Sequence, residues 1–447
     1  MEMIALLQCL RPTLSATTVR QLSRIILAVL AMSGRVTMLG ISRWASPGGS
    51  YRTIQRWFST FIPWTAVFWL FFRRHLWRST EVYILAGDEV VVTKTGKHTF
   101  GVDRFFSSLF QKPVPSIAFF GLSLVGTSEH RAFPVALDQV LRPEREPAAL
   151  PAPTGVPFAA SPKPPRGRRP GSRNRNKCQV VLNPELQHIQ SMLRSLLTWV
   201  TEWLSITYLA LDGHFGTNAA LQMTRQCGLH LISKLRVNSA LYFPYPGPQP
   251  KRGPHRQYGD RVNWRQIPEQ YLKQTTVKEG IETCVYQATL RHREFGQLLN
   301  VVVIVKTNLQ TQARAHVLLF SSDLPLPWDK LIAYYSLRFQ IEFNFRDAKQ
   351  YWGLEDFMNI TETAVTNAAS LALFMVNVAE CLRRQWCPDD AEFSVLDLKA
   401  VYRGTKYVTE TIKRLREKPD PNLISAILRQ VATLGSIHPS AVPATAP

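Results

Sequence analysis

Residues 334 to 349, Tyr-Tyr-Ser-Leu-Arg-Phe-Gln-Ile-Glu-Phe-Asn-Phe-Arg-Asp-Ala-Lys, limit the fold more than any other stretch of the chain. On a helix turning about 100° per residue, Tyr335, Arg338, Glu342 and Lys349 fall within an arc of about 60°, and Arg346 joins them. A stripe at that spacing is normally the apolar seam that a helix buries. Here it is ionic, with Ile332, Phe339 and Phe343 on one flank and Tyr334, Ile341 and Phe345 on the other. One continuous helix would set a carboxylate and three cations at the floor of a groove. The same charges also suit i,i+4 ion pairs of Glu342 with Arg338 and Arg346 on a solvated face, each worth about 0.2 to 0.5 kcal/mol. The rest of the chain has to decide between the two.

With 447 residues, 45% of them hydrophobic and 19% charged, the chain is long enough for two or three domains with cores of their own. Lys and Arg exceed Asp and Glu by 53 − 32 = 21, which calls for a polyanionic partner. A membrane surface fits less well than nucleic acid. The most apolar run, Phe61 to Phe72, is about half of the roughly 20 residues needed to span a bilayer, and no export signal is legible. The cysteines at 9, 178, 227, 284, 381 and 387 lack the paired spacing of a zinc site, and a reduced, cytoplasmic protein is expected.

Residues 1–80 hold ten arginines, no lysine and one acid, Glu2. Helical periodicity runs through 17–32 and 35–44. Ser50 then reads as the N-cap of a helix that buries Tyr51, Ile54, Trp57 and Phe58 and projects Arg52, Gln55 and Arg56. That is the pattern of a helix-turn-helix recognition helix, and equally of an amphipathic hairpin with a solvated basic face. Strand character begins at Glu81. Val82 to Ala86 reads as a short strand ending at Gly87-Asp88, followed by strands over 116–126 and 132–140. Residues 142–177 read as a basic, Pro-rich loop, in which Arg166, Arg168 and Arg169 suit a DNA groove or a plain linker. A helix over 184–204 leads to a strand over 206–211 that ends in Asp212, at the carboxyl edge where open α/β sheets place ligands. A helix over 217–227 and a strand over 230–235 follow. Residues 238–325 read as an inserted β-rich subdomain, 326–360 as the return to the core, and 361–447 as a helical region, with separate helices near 395–403 and 409–416.

Two aspartates at strand ends and a glutamate on a later helix supply the hard oxygen ligands of a two-metal phosphoryl-transfer site. The spacing Tyr335-x2-Arg338-x3-Glu342-x6-Lys349 resembles the Tyr-Arg-Glu-Lys signature of the DDE-type insertion-sequence transposases of the IS-four-type group. Leu-Ala-Gly-Asp88 with Lys94-Thr-Gly-Lys97 downstream, Leu-Ala-Leu-Asp212-Gly-His-Phe-Gly, and Gly353-Leu-Glu-Asp strengthen the likeness, which spans about residues 80 to 360. The resemblance implies an α/β fold: an RNase H-like catalytic core (81–237 and 326–360) with the β-rich insertion in the gap between Asp212 and Glu342, flanked by helical regions. It implies Asp88, Asp212 and Glu342 as catalytic metal ligands for two Mg²⁺ ions, with Mn²⁺ as a substitute. It also implies a phosphate clamp of Tyr335, Arg338 and Lys349, rather than ion pairing of Glu342 with these neighbours. Arg346 stays open between the two roles. In relatives a tryptophan of the insertion stacks on a flipped base, and Trp264 is the one placed before the closing loop at Trp328. Gly213 and His214 receive no catalytic role. The activity implied is cut-and-paste DNA transposition by a homodimer that binds its element's terminal inverted repeats and its target DNA. A transposase-derived protein that only binds DNA, or an RNase H-like endonuclease, are the alternatives.

Overall fold

The computed structural model describes residues 3–45, 48–107, 110–142, 176–264, 266–386, 393–432 and 434–438. Arg166, Arg168 and Arg169 lie outside the described residues.

The amino-terminal region is helical: α1 (Met3–Leu6), α2 (Ala16–Ala31), α3 (Met38–Trp44), α4 (Tyr51–Phe58) and α5 (Trp64–His75). Side-chain caps start three of them, because Ser15, Thr37 and Ser50 each accept the backbone N–H three residues on. On α4, Ile54, Trp57 and Phe58 are buried as expected, but Tyr51 is 43% exposed. The first position of a short helix projects beyond the packed seam. The apolar run 61–72 forms most of α5, whose rings at Phe68, Trp69, Phe71 and Phe72 are almost fully buried.

Strands β1 (Tyr83–Thr93), β2 (Asp103–Ser107), β3 (Lys112–Gly126) and β4 (Arg131–Val140) form an antiparallel set. After α6 (Pro184–Val200), β5 (Tyr208–Ala210) pairs parallel with β1, and after α7 (Asn218–Gln226), β6 (His230–Leu235) pairs parallel with β5. The strands paired in the order β4-β3-β1-β5-β6 are the RNase H-like core that the resemblance implied. The remaining strands are β7 (Leu241–Pro244), β8 (Tyr258–Arg261), β9 (Leu272–Lys278), β10 (Ile281–His292), β11 (Leu298–Asn308) and β12 (Arg314–Ser321). They do not form a sheet of their own. β12 pairs antiparallel with the core edge strand β6, and β11, β10, β7 and β8 extend the sheet from there. The β-branched run Val301–Val305 gives β11 a side chain to bury on both faces, which suits an interior strand.

The chain returns through α8 (Trp328–Leu337) and α9 (Gln340–Tyr351), followed by α10 (Glu362–Trp386), α11 (Val395–Ile412) and α12 (Pro421–Ala432). Two expectations fail here. The stretch 334–349 is not one helix, since Arg338 and Phe339 form a tighter turn with i to i−3 bonds between α8 and α9. The two helices read near 395–403 and 409–416 are one, begun by a reciprocal cap between Ser394 and Asp397. α10 is long and apolar enough to cross a membrane, and most of it is buried against β4, α5 and α9.

Candidate active site

Asp88 does not end its strand, because β1 runs on to Thr93, paired throughout with β3. What ends beside Asp88 is β5. The last parallel pair is Ala86 with Ala210; Asp88 lies two residues beyond it on β1, and Asp212 two residues beyond it, just past the end of β5. The two side chains lie close enough for the Asp212 charge to act on the Asp88 carboxyl. Asp212 then caps a short turn at Gly213–Phe215, its Oδ1 accepting from His214 N at 3.1 Å, while its carbonyl takes the Ser233 hydroxyl at 2.6 Å.

The face of β1 and β3 that carries Asp88 receives α9. Cross-strand partners share a face, and Gly121 opposite Asp88 lies under Phe345, whose ring would sit 2.9 Å from any Cβ at 121. Beside it, Asn344 Nδ2 donates to Ser123 Oγ at 3.2 Å. The two apolar flanks of the stripe therefore differ. Ile341 and Phe345 are buried against the sheet, whereas Phe339 and Phe343 are 49% and 37% exposed.

Docked in this way, α9 brings Glu342 to the two aspartates, and Arg338 joins them. Arg338 Nη1 donates to Asp88 Oδ2 at 2.7 Å and Nη2 to Glu342 Oε1 at 3.4 Å. The expectation that Arg338 would not pair with Glu342 is corrected: the guanidinium lies between Asp88 and Glu342 and pairs with both. Burial raises the Asp88 carboxyl above its ordinary range; Arg338 and the Glu89 N–H oppose this, and the charges of Asp212 and Glu342 add to it. Burial likewise raises the Tyr335 phenol, with Asp212 and Asp88 adding to the rise against Arg338, so Tyr335 stays protonated beside the acids. Burial alone would lower Arg338, but Asp88, Tyr335, Glu342 and Asp212 together hold it raised. The Arg338 Nε–H is buried and has no hydrogen-bond partner among the described residues.

The donor set is three carboxylates, the chemistry that Mg²⁺ and Mn²⁺ prefer. As arranged, no three Asp, Glu, His or Cys side chains among the described residues close around one point. The fit to such an ion rests on the chemistry of this donor set, and Arg338 bridges two of its three carboxylates.

The other residues named from the sequence lie elsewhere. Lys349 Nζ donates to the Val91 carbonyl at 2.9 Å and pairs with Glu355 at 3.3 Å, away from Glu342. Arg346 pairs with Asp347 at 3.0 Å and lies over the Phe343 ring. Trp264 is half-buried and stacked on His316, with ring centroids 5.3 Å apart. Arg52, Gln55 and Arg56 are exposed on α4. His214 bonds Glu185 at 3.2 Å, next to Glu89, which as the neighbour of Asp88 on β1 points to the opposite face of the sheet. Sequence reasoning gave no role to Ser233, which fixes the Asp212 backbone, or to Asn344. A polar residue at a core position of α9 was the available signal for the latter.

A scan against protein-family models matches residues 6–295 to the DDE superfamily endonucleases. The chain belongs to this family. A nuclease of the transposase type is the function that goes with membership, and family members generally use divalent metal ions. The match takes in Asp88 and Asp212 and ends before β11, so Glu342 is placed by geometry alone. A search of the curated proteins found no match.

Proposed function

We propose that this DDE-family endonuclease is a cut-and-paste DNA transposase of the IS-four-type group, acting on the terminal inverted repeats of its own mobile element and on target DNA. The observation that carries the reading is the convergence of Asp88 and Asp212, at equal offsets past a parallel pair, with Glu342 delivered by α9. Asp88, Asp212 and Glu342 would hold two Mg²⁺ ions, with Mn²⁺ as substitute. When bound, these ions supply activation of the attacking oxygen and stabilisation of the leaving one.

The chain's own residues do the rest. Arg338 exchanges carboxylate for phosphate, and its unpartnered Nε–H is a ready donor to a phosphodiester oxygen. Tyr335, held protonated beside Arg338, is a second donor. Lys349, which ties the end of α9 to β1, adds a further cation to the phosphate clamp. Arg346 serves at the rim. The basic face of α4 (Arg52, Gln55 and Arg56) and the loop arginines Arg166, Arg168 and Arg169 contact DNA outside the site, and Trp264 stacks on a displaced base after leaving His316. Residues 1–80 form the DNA-binding unit, 238–325 the insertion, and a homodimer brings two ends together.

The test is cleavage and strand transfer by the purified full-length chain on DNA carrying the inverted repeats that flank its reading frame. Mg²⁺-dependent release of a 3′ hydroxyl end and its joining to a second duplex support the reading. Binding with no cleavage, or cleavage with no joining, overturns it in favour of a DNA-binding derivative or a plain endonuclease.

A further inference from the structure

Lys94 has no part in the reaction as described, yet it is a buried lysine. It follows β1 directly, is 9% exposed and makes no ion pair among the described residues. Among the described residues its ammonium donates to backbone: to the Phe357 carbonyl at 2.9 Å and the Glu355 carbonyl at 3.2 Å, with the Phe357 ring 3.5 Å away. Burying an ammonium is unfavourable, and burial pushes Lys94 down to about 8.

What the ammonium holds explains the cost. Glu355 and Phe357 belong to the turn that ends α9. Gly353 enters that turn at φ +81°, and the Leu354 N–H closes it on the Ala348 carbonyl at 3.0 Å. The Glu355 carboxylate takes Lys349 at 3.3 Å, and Lys349 in turn donates to Val91 on β1. Asp356 takes the Val36 N–H at 2.9 Å and Arg35 at 3.4 Å, from the segment leading into α3. Asp88, Val91 and Lys94 all belong to one stretch of chain, so the end of α9 is tied twice to the strand that carries the first acid. Counting in twos from Asp88, Lys94 also shares its face of the strand.

We infer that Lys94 is a positioning residue: together with the Lys349–Glu355 pair it fixes the end of α9 against β1 and so sets the separation of Glu342 from Asp88. The inference rests on the proposed reading of those carboxylates as the metal site. It assigns a role to the Lys94-Thr-Gly-Lys97 and Gly353-Leu-Glu-Asp motifs, which the chemistry alone leaves idle.

The test uses the full-length chain with Lys94→Met, Lys94→Arg and Glu355→Gln. The readouts are thermal unfolding, Mn²⁺ titration by electron paramagnetic resonance, backbone hydrogen exchange over 340–357, and kcat and KM on repeat DNA. Methionine fills the lysine's volume without its charge, so Lys94→Met is expected to unfold near the wild-type temperature. Its kcat should fall about a hundredfold at unchanged KM, as for a group displaced by about 1 Å. Mn²⁺ should bind about tenfold more weakly, and the amides of 349–357 should exchange faster. Lys94→Arg should recover part of each, and Glu355→Gln, on an exposed side chain, should lose less. Wild-type kcat, Mn²⁺ affinity and exchange in Lys94→Met would overturn the inference, as would a kcat loss no larger than the loss of folded protein. If instead Asp88→Asn binds Mn²⁺ as the wild type does, the reading of the site fails, and hydrogen exchange still reports whether Lys94 restrains α9.

Discussion

Helices α4 and α9 both carry basic residues at helical spacing, and the fold uses them in opposite ways. On α4, Arg52 and Arg56 point to water and make no ion pair among the described residues. At α9 two cations are held by the fold: Arg338, in the turn before the helix, by Asp88 and Glu342, and Lys349 by Val91 and Glu355, while Arg346 stays exposed. Exposed arginines are free to release counterions on meeting a polyanion, which gives affinity without geometry. Held cations are already oriented, which gives geometry at the cost of affinity. On the proposed function, the contrast gives holding DNA to α4 and acting on it to α9.

The sharpest way to break that division is to remove an acid. Asp88→Ala or Glu342→Ala should lower repeat-DNA cleavage by roughly a thousandfold, since several kcal/mol of charge stabilisation go with the metal site. Binding of the same DNA in a gel-shift assay should be retained. Arg338→Ala comes next. Truncating one partner of a largely buried pair should cost roughly 3 kcal/mol in denaturant unfolding. It should tighten Mn²⁺ binding, by removing the competing cation, and still slow cleavage. A rise in Mn²⁺ affinity together with a fall in kcat would separate Arg338's two roles.

The effects at α4 are smaller and of another kind. Arg52→Ala with Arg56→Ala should weaken DNA binding evenly across sequences and lower the slope of log affinity against log salt by about 2, with kcat unmoved. Smallest of all, Ser50→Ala should cost about 1 kcal/mol by removing the cap on Thr53. If the α4 double variant lost kcat at saturating DNA, the division between the helices would fail.

How much of this was legible beforehand follows from what is local. The cap at Ser50, the helix read over 217–227, the strand His230–Leu235 and the buried seam of α4 depend on neighbours in sequence, and pattern reading finds them. Asp88 and Asp212 were legible as strand-associated acids, but their adjacency is a matter of register, set by where β5 stops. The break between α8 and α9 was hidden because Arg338 and Phe339 keep helical dihedral angles and change only the hydrogen-bond partner. That Arg338 bridges two acids could not be read from an i,i+4 spacing that shows only Glu342. The run of strands in 238–325 was recognisable, whereas its continuity with the core sheet rests on the long-range pairing of β12 with β6. Lys94 stood in a motif with no role, since its partners come from 261 and 263 residues away.

The central claim is that Asp88, Asp212 and Glu342 form one cation site, two of whose carboxylates Arg338 bridges. Its most direct test is a Mn²⁺ titration, followed by electron paramagnetic resonance, of the full-length wild type beside Asp212→Asn. The claim predicts binding to the wild type that weakens at least tenfold in the variant, whose own fold is left intact. Titration curves that superimpose would contradict it.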